Sequence, residues 1–471
     1  MSSTVTGTHV LVYPYPAPGH IIPLLDLTRI LLTRGFTVTF IVTSKHLSLL
    51  QPLFSTYPPS SLQSLVLSVP DTTVSKSVRL VAIIRATREQ HYPVLFHWFK
   101  SHPSPPVAII SDSLFSWTND LASEIGIQRL VFSPSGAVFR SLSFSLWSNL
   151  PRNNNPDDVY TPISFPKVPN SPVYPWWQLS FMYRSGKGGD PDWELFRSMS
   201  MANRASWGAV FNSFAAMEGA YLEHLKEVMG HNRVWAVGPL LPLDDDVVGA
   251  SDRGGPSSLP SNEVTSWLDA REFRSAVFVC FGSRTILTRS QMEVLSDSLE
   301  QSGVQFILSV RGPNERQAGN DHGEIQDGFG DRVADRGLVI KGWAPQVAIL
   351  RHRAVGAFLT HCGWNSLIEG LTAGTVMLTW PMRADQFTNA KLLVDHLGVG
   401  IRVGEGTEIV PESNELARLL VESLKEDRPE RIQAKNLSEA ALSAVIGGSS
   451  GNDLDELVKR LSELEKRTTL A

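Results

Sequence analysis

Residues 343–386 read WAPQVAILRHRAVGAFLTHCGWNSLIEGLTAGTVMLTWPMRADQ, and this stretch decides the fold. Its centre, Val355-Gly-Ala-Phe-Leu-Thr360, is a short apolar run bounded by polar residues, the pattern of a strand buried in a parallel sheet. Cys362-Gly363-Trp364-Asn365-Ser366 then opens a helix through Leu371, with Gly374 as its stop. A helix starting there points N–H groups and the positive end of its dipole above the sheet, where an anion such as a pyrophosphate fits. Gly363 lets backbone approach a ligand closely. Trp343 offers a flat face for stacking on a base, and Glu369 can accept both hydroxyls of a ribose. Asp385 and Gln386 supply a carboxylate and an amide suited to paired bonds with sugar hydroxyls. Taken singly, each is more often core packing or an ordinary helix start. Gathered within 44 residues, they describe a nucleotide-sugar site.

The stretch resembles, without a gap, the plant secondary product glycosyltransferase box of the plant UDP-glycosyltransferases, and weaker similarity extends from residue 9 to about residue 465. Group 89 of that family is the most similar. Members are inverting enzymes of glycosyltransferase family 1. The resemblance implies an α/β protein of the GT-B fold, two facing Rossmann-like domains with doubly wound parallel sheets and a cleft between them. It also implies roles. Trp343 stacks on uracil, Ala344 and Gln346 fix base and ribose, and Glu369 takes the ribose hydroxyls. His361, Asn365, Ser366 and Ser283 hold the diphosphate beside Gly363. Trp364, Asp385, Gln386 and Ser135 orient the sugar. UDP-glucose is then a donor co-substrate, with no metal and no other cofactor. A box ending in Gln goes with glucose in this family and His with galactose, so Gln386 favours glucose. UDP-xylose or UDP-rhamnose as donor, and C-glycosides or glucose esters as products, are the alternatives on the same scaffold.

The remainder of the chain fits this frame. At 471 residues it exceeds one hydrophobic core, and two domains are expected. A charged fraction of 19 % and a net charge of −5, without basic runs, argue against nucleic acid or an anionic membrane as partner. No run of about 18 apolar residues exists to span a bilayer. The N-terminal residues lack a secretory pattern, and Cys280 and Cys362 read as two buried thiols, so a cytoplasmic monomer is expected.

Residues 9–15 read as a strand, residues 16–19 as a tight turn, residues 21–33 as a helix, and residues 36–43 as the next strand. His20 falls where the first strand's carboxyl end meets that helix, the edge at which open parallel sheets bind ligands. A helix N-terminus disfavours imidazolium, which suits a base. Asp112 ends another strong strand on the same edge, where it can orient a histidine or simply cap the following helix. Asp120 and Asp26 are its rivals. By resemblance, His20 is the general base and Asp112 its supporting carboxylate. A nucleotide-sugar-binding protein without turnover would carry a damaged pair beside an intact box, yet both residues are present.

The acceptor expected from group 89 is a small phenolic such as a flavonoid or hydroxybenzoate, with Phe115, Trp117, Phe139, Phe144 and Trp147 as candidate pocket walls beside His20. Seven prolines in residues 151–180 predict a long irregular loop at the pocket rim, where Trp176 and Trp177 line the pocket or pin the loop down. The expected domains are residues 1–242 for the acceptor, a linker at 243–261, residues 262–448 for the UDP-sugar, and a C-terminal helix at 449–471 that crosses back to the first domain.

Overall fold

Short β-branched, apolar runs alternate with longer amphipathic ones through most of the chain, and the backbone follows them as strand and covering helix. A computed structural model describes residues 7–69, 76–155, 157–241, 253, 257–310 and 323–470. The strands, in chain order, are β1 (His9–Tyr13), β2 (Thr37–Val42), β3 (Leu62–Val66), β4 (Ala108–Asp112), β5 (Gln128–Ser133), β6 (Pro162–Ser164), β7 (Val173–Pro175), β8 (Gly208–Phe211), β9 (Val234–Ala236), β10 (Ala276–Cys280), β11 (Gln305–Val310), β12 (Gly337–Lys341), β13 (Val355–Thr360), β14 (Val376–Thr379) and β15 (Gly400–Arg402). Two compact units result, residues 1–241 with 444–471, and residues 242–443.

The first unit carries a parallel seven-stranded sheet in the order β3-β2-β1-β4-β5-β8-β9. The winding direction reverses between β1 and β4, so a crevice opens there at the strands' carboxyl ends. The helix Pro18–Thr33 buries Leu24, Leu27 and Leu31 in a cluster with Val10, Val12 and Val38. It starts earlier than the sequence pattern indicated. Pro18 occupies the first turn, where its fixed φ is already helical and its missing N–H has no intrahelical partner to lose. β1 correspondingly stops at Tyr13, because Pro14 and Pro16 cannot donate ladder bonds.

Residues 151–180 are more regular than their prolines suggested. β6 and β7 form an antiparallel ribbon with Pro162 opposite Pro175, and Trp176–Gln178 adds a single turn. A two-stranded ribbon tolerates proline because each strand has one side without a partner.

The C-terminal helix Ser449–Leu470 belongs to the first unit. Leu457 and Leu461 are fully buried in the same cluster as Val10 and Leu31. Asp453 accepts the Ala236 amide at 2.7 Å, and Thr8 donates to Glu465 at 2.5 Å.

The second unit repeats the plan with six parallel strands, β12-β11-β10-β13-β14-β15. Its reversal lies between β10 and β13. Val277, Val279, Phe306, Leu308, Ala357 and Leu359 cluster on one face at alternate positions. Phe278 and Phe358 stack on the other with ring centroids 5.2 Å apart. Burial on both faces explains why these strands read as continuous apolar runs.

Of the linker expected at 243–261, Arg253 and residues 257–261 are described, and the rest lies outside the described residues. So do residues 311–322 of the polar stretch before β12. Cys362 is buried, whereas Cys280 is half-buried, and no disulfide joins them. Among the described residues no helix is long and apolar enough to cross a membrane.

Candidate active site

At the reversal of the first sheet, His20 stands in the first turn of the helix Pro18–Thr33, and Asp112 is the last residue of β4. His20 Nδ1 lies 2.7 Å from Asp112 Oδ2. Asp112 is fully buried, while the His20 ring keeps 20 % exposure. An ionised carboxylate can only accept, so Nδ1 carries the proton and Nε2 is left with a lone pair. The other oxygen, Oδ1, accepts the Leu114 amide at 2.8 Å and caps the turn Ser113–Phe115. Capping and orientation, alternatives in the sequence, are divided between the two oxygens of one residue. Asp120 instead faces Arg88 at 3.0 Å on the exposed side of its helix.

Two buried ionisable side chains of the first unit were missed in the sequence. Arg129, second residue of β5, donates to Ser111 Oγ at 2.9 Å, Asn203 Oδ1 at 2.9 Å, Ser206 Oγ at 2.6 Å and the Asp112 carbonyl at 3.3 Å. Burial pulls its guanidinium down to about 9, a shift that Asp112 opposes, so it remains a cation at neutral pH behind the carboxylate. The signal was there: an arginine inside an apolar strand needs partners.

Glu218 accepts the amides of Ala137 at 3.0 Å and Val138 at 2.8 Å and the Ser213 hydroxyl at 2.6 Å. Burial raises its pKa and the three hydrogen bonds oppose that rise. The start of the helix Ala137–Asn149, beside Ser135, thus already holds a carboxylate from its own unit. The carbonyl of Ser135 accepts the Ser133 hydroxyl at 2.8 Å.

The aromatic candidates divide. Phe115 is buried within 4.6 Å (ring centroids) of Tyr13 and 5.7 Å of Tyr15, whose ring lies 5.1 Å from that of His20. Trp117 is buried edge-on to Tyr13. Phe139 is half-buried on the helix Ala137–Asn149. Phe144 is packed inside under Arg140, and Trp147 meets Tyr183 and Trp193 edge-on in the interior. Trp176 is half-buried with its ring against Tyr183.

In the second unit the reversal gathers the ends of β10 and β13. Cys362 adopts φ 63°, a left-handed conformation rare outside glycine. It is held by the Thr360 hydroxyl on its amide at 3.2 Å and by Asn389 on its carbonyl at 2.9 Å. This turn sets the His361 ring between two glycines. A Cβ on Gly282 would stand 2.5 Å from the imidazole, and one on Gly363 would stand 2.4 Å from Nε2. His361 Nδ1 is buried without a hydrogen-bond partner among the described residues. Burial, with the charge of Arg383 adding to it, lowers the imidazole to about 4, so it is neutral at physiological pH. Ser283 follows Gly282 at the β10 edge, and the helix Trp364–Thr372 begins directly above, with Trp364 buried and Asn365 and Ser366 in its first turn.

At the β12 edge, Trp343 accepts the Ser258 amide on its carbonyl at 3.0 Å and donates its indole N–H to the Arg253 carbonyl at 3.2 Å. The Ala344 carbonyl accepts the Gln346 amide at 2.8 Å, closing a tight turn. Gln346 Nε2 donates to Ser366 Oγ at 3.0 Å and Glu369 Oε2 at 2.6 Å. The guanidinium of Arg253 bonds Glu369 Oε1 in a nearly buried ion pair. Beyond β14, Gln386 Oε1 accepts the amides of Met382 at 2.9 Å and Arg383 at 3.0 Å, and Asp385 accepts Asn389 at 3.1 Å. Among the described residues, no three His, Cys, Asp or Glu side chains gather as a metal ion would require.

Two doubly wound parallel sheets, one bearing a histidine–carboxylate pair and the other a glycine-flanked imidazole beneath a helix start, define a nucleotide-sugar-dependent glycosyltransferase of the GT-B class. The model of the family described as UDP-glucoronosyl and UDP-glucosyl transferase matches residues 209–417. A flavonol 3-O-glucosyltransferase of Arabidopsis thaliana is 50 % identical, the alignment covering 98 % of this chain and 97 % of that protein. The crystal structure of Arabidopsis thaliana UGT89C1 complexed with UDP-L-rhamnose superposes with a TM-score of 0.78 at 37 % identity, over 96 % of this chain and 99 % of that one. The same relative complexed with quercetin gives 0.75 at 35 % identity, with coverage of 96 % and 99 %. This chain belongs to the UDP-glycosyltransferase family, among its plant members, and is a UDP-glycosyltransferase.

Proposed function

We propose that this enzyme transfers glucose from UDP-glucose to a hydroxyl of a flavonoid, inverting the anomeric centre. The observation that carries the proposal is the His20–Asp112 pair at the reversal of the first sheet. Nε2 of His20 takes the proton of the acceptor hydroxyl while Asp112 stabilises the imidazolium that forms. The acceptor oxygen forms its bond to the anomeric carbon as the carbon–oxygen bond to UDP breaks, and the electron pair of that bond leaves on the diphosphate.

The second unit carries the donor. Trp343 stacks on uracil, Ala344 and Gln346 fix base and ribose, and Glu369 binds the ribose hydroxyls. The start of the helix Trp364–Thr372, with its residues Asn365 and Ser366, joins His361 and Ser283 in meeting the charge that develops on the diphosphate, and Gly363 allows the approach. In the same unit, Trp364, Asp385 and Gln386 orient the sugar. No metal or other cofactor is invoked. A relative named for glucose transfer to a flavonol supports the donor and the acceptor, and the quercetin complex of another supports the acceptor. The rhamnose nucleotide bound by that second relative makes the sugar the point to test.

Incubation with quercetin and either UDP-glucose or UDP-L-rhamnose, read by product mass and by NMR of the linkage, decides it. A β-linked O-glucoside is expected. Faster transfer of rhamnose would overturn the donor, a carbon-linked product the linkage, and no product from either nucleotide the acceptor class.

A further inference from the structure

Asp112 is fully buried, and its carboxylate meets two partners among the described residues, the His20 ring and the Leu114 amide. For His20 to act as a base its ring must be neutral at rest, so neither partner brings a charge. A buried anion without a counter-charge is costly, and proteins either pair it or protonate it.

The counter-charge comes from the next strand. Arg129 is paired with Ile109 in the β4–β5 register, so its side chain shares a face with Ile109 and Ser111, while Asp112 points to the other face. The guanidinium therefore reaches Asp112 from behind, through the main chain. Nε donates to Ser111 Oγ at 2.9 Å and Nη2 to the Asp112 carbonyl at 3.3 Å. Nη1 donates to Asn203 Oδ1 at 2.9 Å and to Ser206 Oγ at 2.6 Å. All four acceptors are neutral, so Arg129 is also a buried charge, and it is the charge of Asp112 that opposes the effect of its burial. The two opposite charges balance each other across the end of β4.

Asn203, on the helix Pro191–Arg204, extends the hold. Its Nδ2 donates to the Ser113 carbonyl at 2.8 Å, so residues 111, 112 and 113 are each tied to one buried cluster. A neutral donor could fix a strand end at less desolvation cost than a guanidinium, and the charge is what sets Arg129 apart.

We infer that Arg129 is a positioning residue of the transfer reaction: it fixes the strand end that carries Asp112, and its positive charge keeps that carboxylate ionised and the His20 ring free of a second proton. The inference rests on the reading of His20 as general base. A cation behind the pair makes a further positive charge on the imidazole less favourable, so removing it lets His20 take up its proton at higher pH. The other ionisable groups of this neighbourhood are Tyr13 and Tyr15 beside the pair, Asp26 farther along the helix of His20, Arg140, whose charge acts on Arg129, and Glu218, which is engaged by the Ala137 and Val138 amides. None of them is altered in the variants below.

NMR titration of isotope-labelled histidine, with the His20 resonance identified by its loss in His20→Ala, measures the effect directly. Arg129→Met keeps the bulk and removes the charge, and should move the His20 midpoint up by roughly one pH unit. Arg129→Lys should leave it at the wild-type value. Should methionine prevent folding, Asn203→Asp keeps Arg129 and sets a carboxylate of nearly the same shape against its Nη1, which cancels the charge, and the same upward shift is expected. Transfer to quercetin by the shifted variants should fall about tenfold on the acid limb of the kcat/KM profile and recover at higher pH, which loss of a merely structural arginine would not produce. A midpoint that stays in place when the charge is removed or cancelled overturns the inference, and so does a loss of transfer that is equal at every pH. Full transfer by His20→Ala would instead overturn the base reading, and the role of Arg129 with it.

Discussion

The carboxylate of Asp112 serves two partners at once: Oδ2 takes the His20 ring at 2.7 Å across 92 residues of sequence, and Oδ1 takes the Leu114 amide at 2.8 Å. The division fixes the carboxylate in rotation, so the proton of His20 is held on Nδ1 and its Nε2 lone pair is held outward.

Asp112→Asn tests that division. The asparagine oxygen can keep the Leu114 amide, but its NH₂ must then face Nδ1 and donate to it. The imidazole is pushed to the tautomer with its proton on Nε2, which cannot accept another. Transfer should fall on the order of 10²–10⁴-fold, close to the loss for His20→Ala. UDP affinity, measured by calorimetry, should stay at the wild-type value in both variants. A near-normal kcat in the asparagine variant would take the base role away from His20.

Glu369 has both oxygens engaged, one by Arg253 and one by Gln346. A ribose diol binding there competes with these partners for the carboxylate, and the linker arginine is the one that can leave without disturbing the helix Trp364–Thr372. Arg253→Ala should therefore tighten UDP binding, by less than about tenfold, the size of one net hydrogen bond. Glu369→Ala should weaken it by about 10–100-fold, as loss of hydrogen bonds to a charged group does. Weaker binding in the arginine variant would mean that Arg253 holds the nucleotide rather than competing with it.

Much of this architecture was legible because the strands are buried on both faces. The runs that became β10 and β13 are continuous, apolar and punctuated by glycine, so their existence followed from pattern alone, as did the placing of His20 and Asp112 at the carboxyl edge of the first sheet and of His361 at the end of β13. Partners separated in sequence were not legible. Nothing around Glu218 announces that it caps a helix starting at Ala137, and nothing around Arg253 announces an ion pair with Glu369. The early start of the helix Pro18–Thr33 was missed for a local reason: proline in residues 16–19 was read as a turn signal, although the first helical turn accepts it. Phe144 and Trp147 are aromatics of the kind that packs interiors more often than it lines pockets, and tertiary packing buries both.

Gln386 has a structural duty that the sugar-clamp role must share. Its Oε1 accepts two consecutive amides, Met382 and Arg383, and so shapes the loop after β14. Only Nε2 is then available to a sugar hydroxyl. Gln386→Glu keeps the acceptor and loses the donor, whereas Gln386→Ala loses both. The glutamate variant should hold the wild-type Tm within a degree or two but raise KM for UDP-glucose about tenfold, one net hydrogen bond. The alanine variant should do both, raising KM and lowering Tm. Equal KM in wild type and the glutamate variant would confine Gln386 to supporting its loop.

His361 makes a prediction about acid stability. Its imidazole titrates near 4 in the folded protein, against 6.5 for an unperturbed histidine. Between those values the unfolded chain binds a proton that the native chain refuses, so the histidine's contribution is intact above pH 6.5 and is lost as pH falls toward 4. At 1.36 kcal/mol per unit, the loss across this window is on the order of 3 kcal/mol. His361→Gln removes the titration, so urea denaturation between pH 7 and pH 4.5 should show the wild type losing more stability than the variant. The carboxylates that also titrate there are common to both proteins and cancel in the difference. Parallel curves would show that the ring takes up its proton without resistance, which the enclosure between Gly282 and Gly363 forbids.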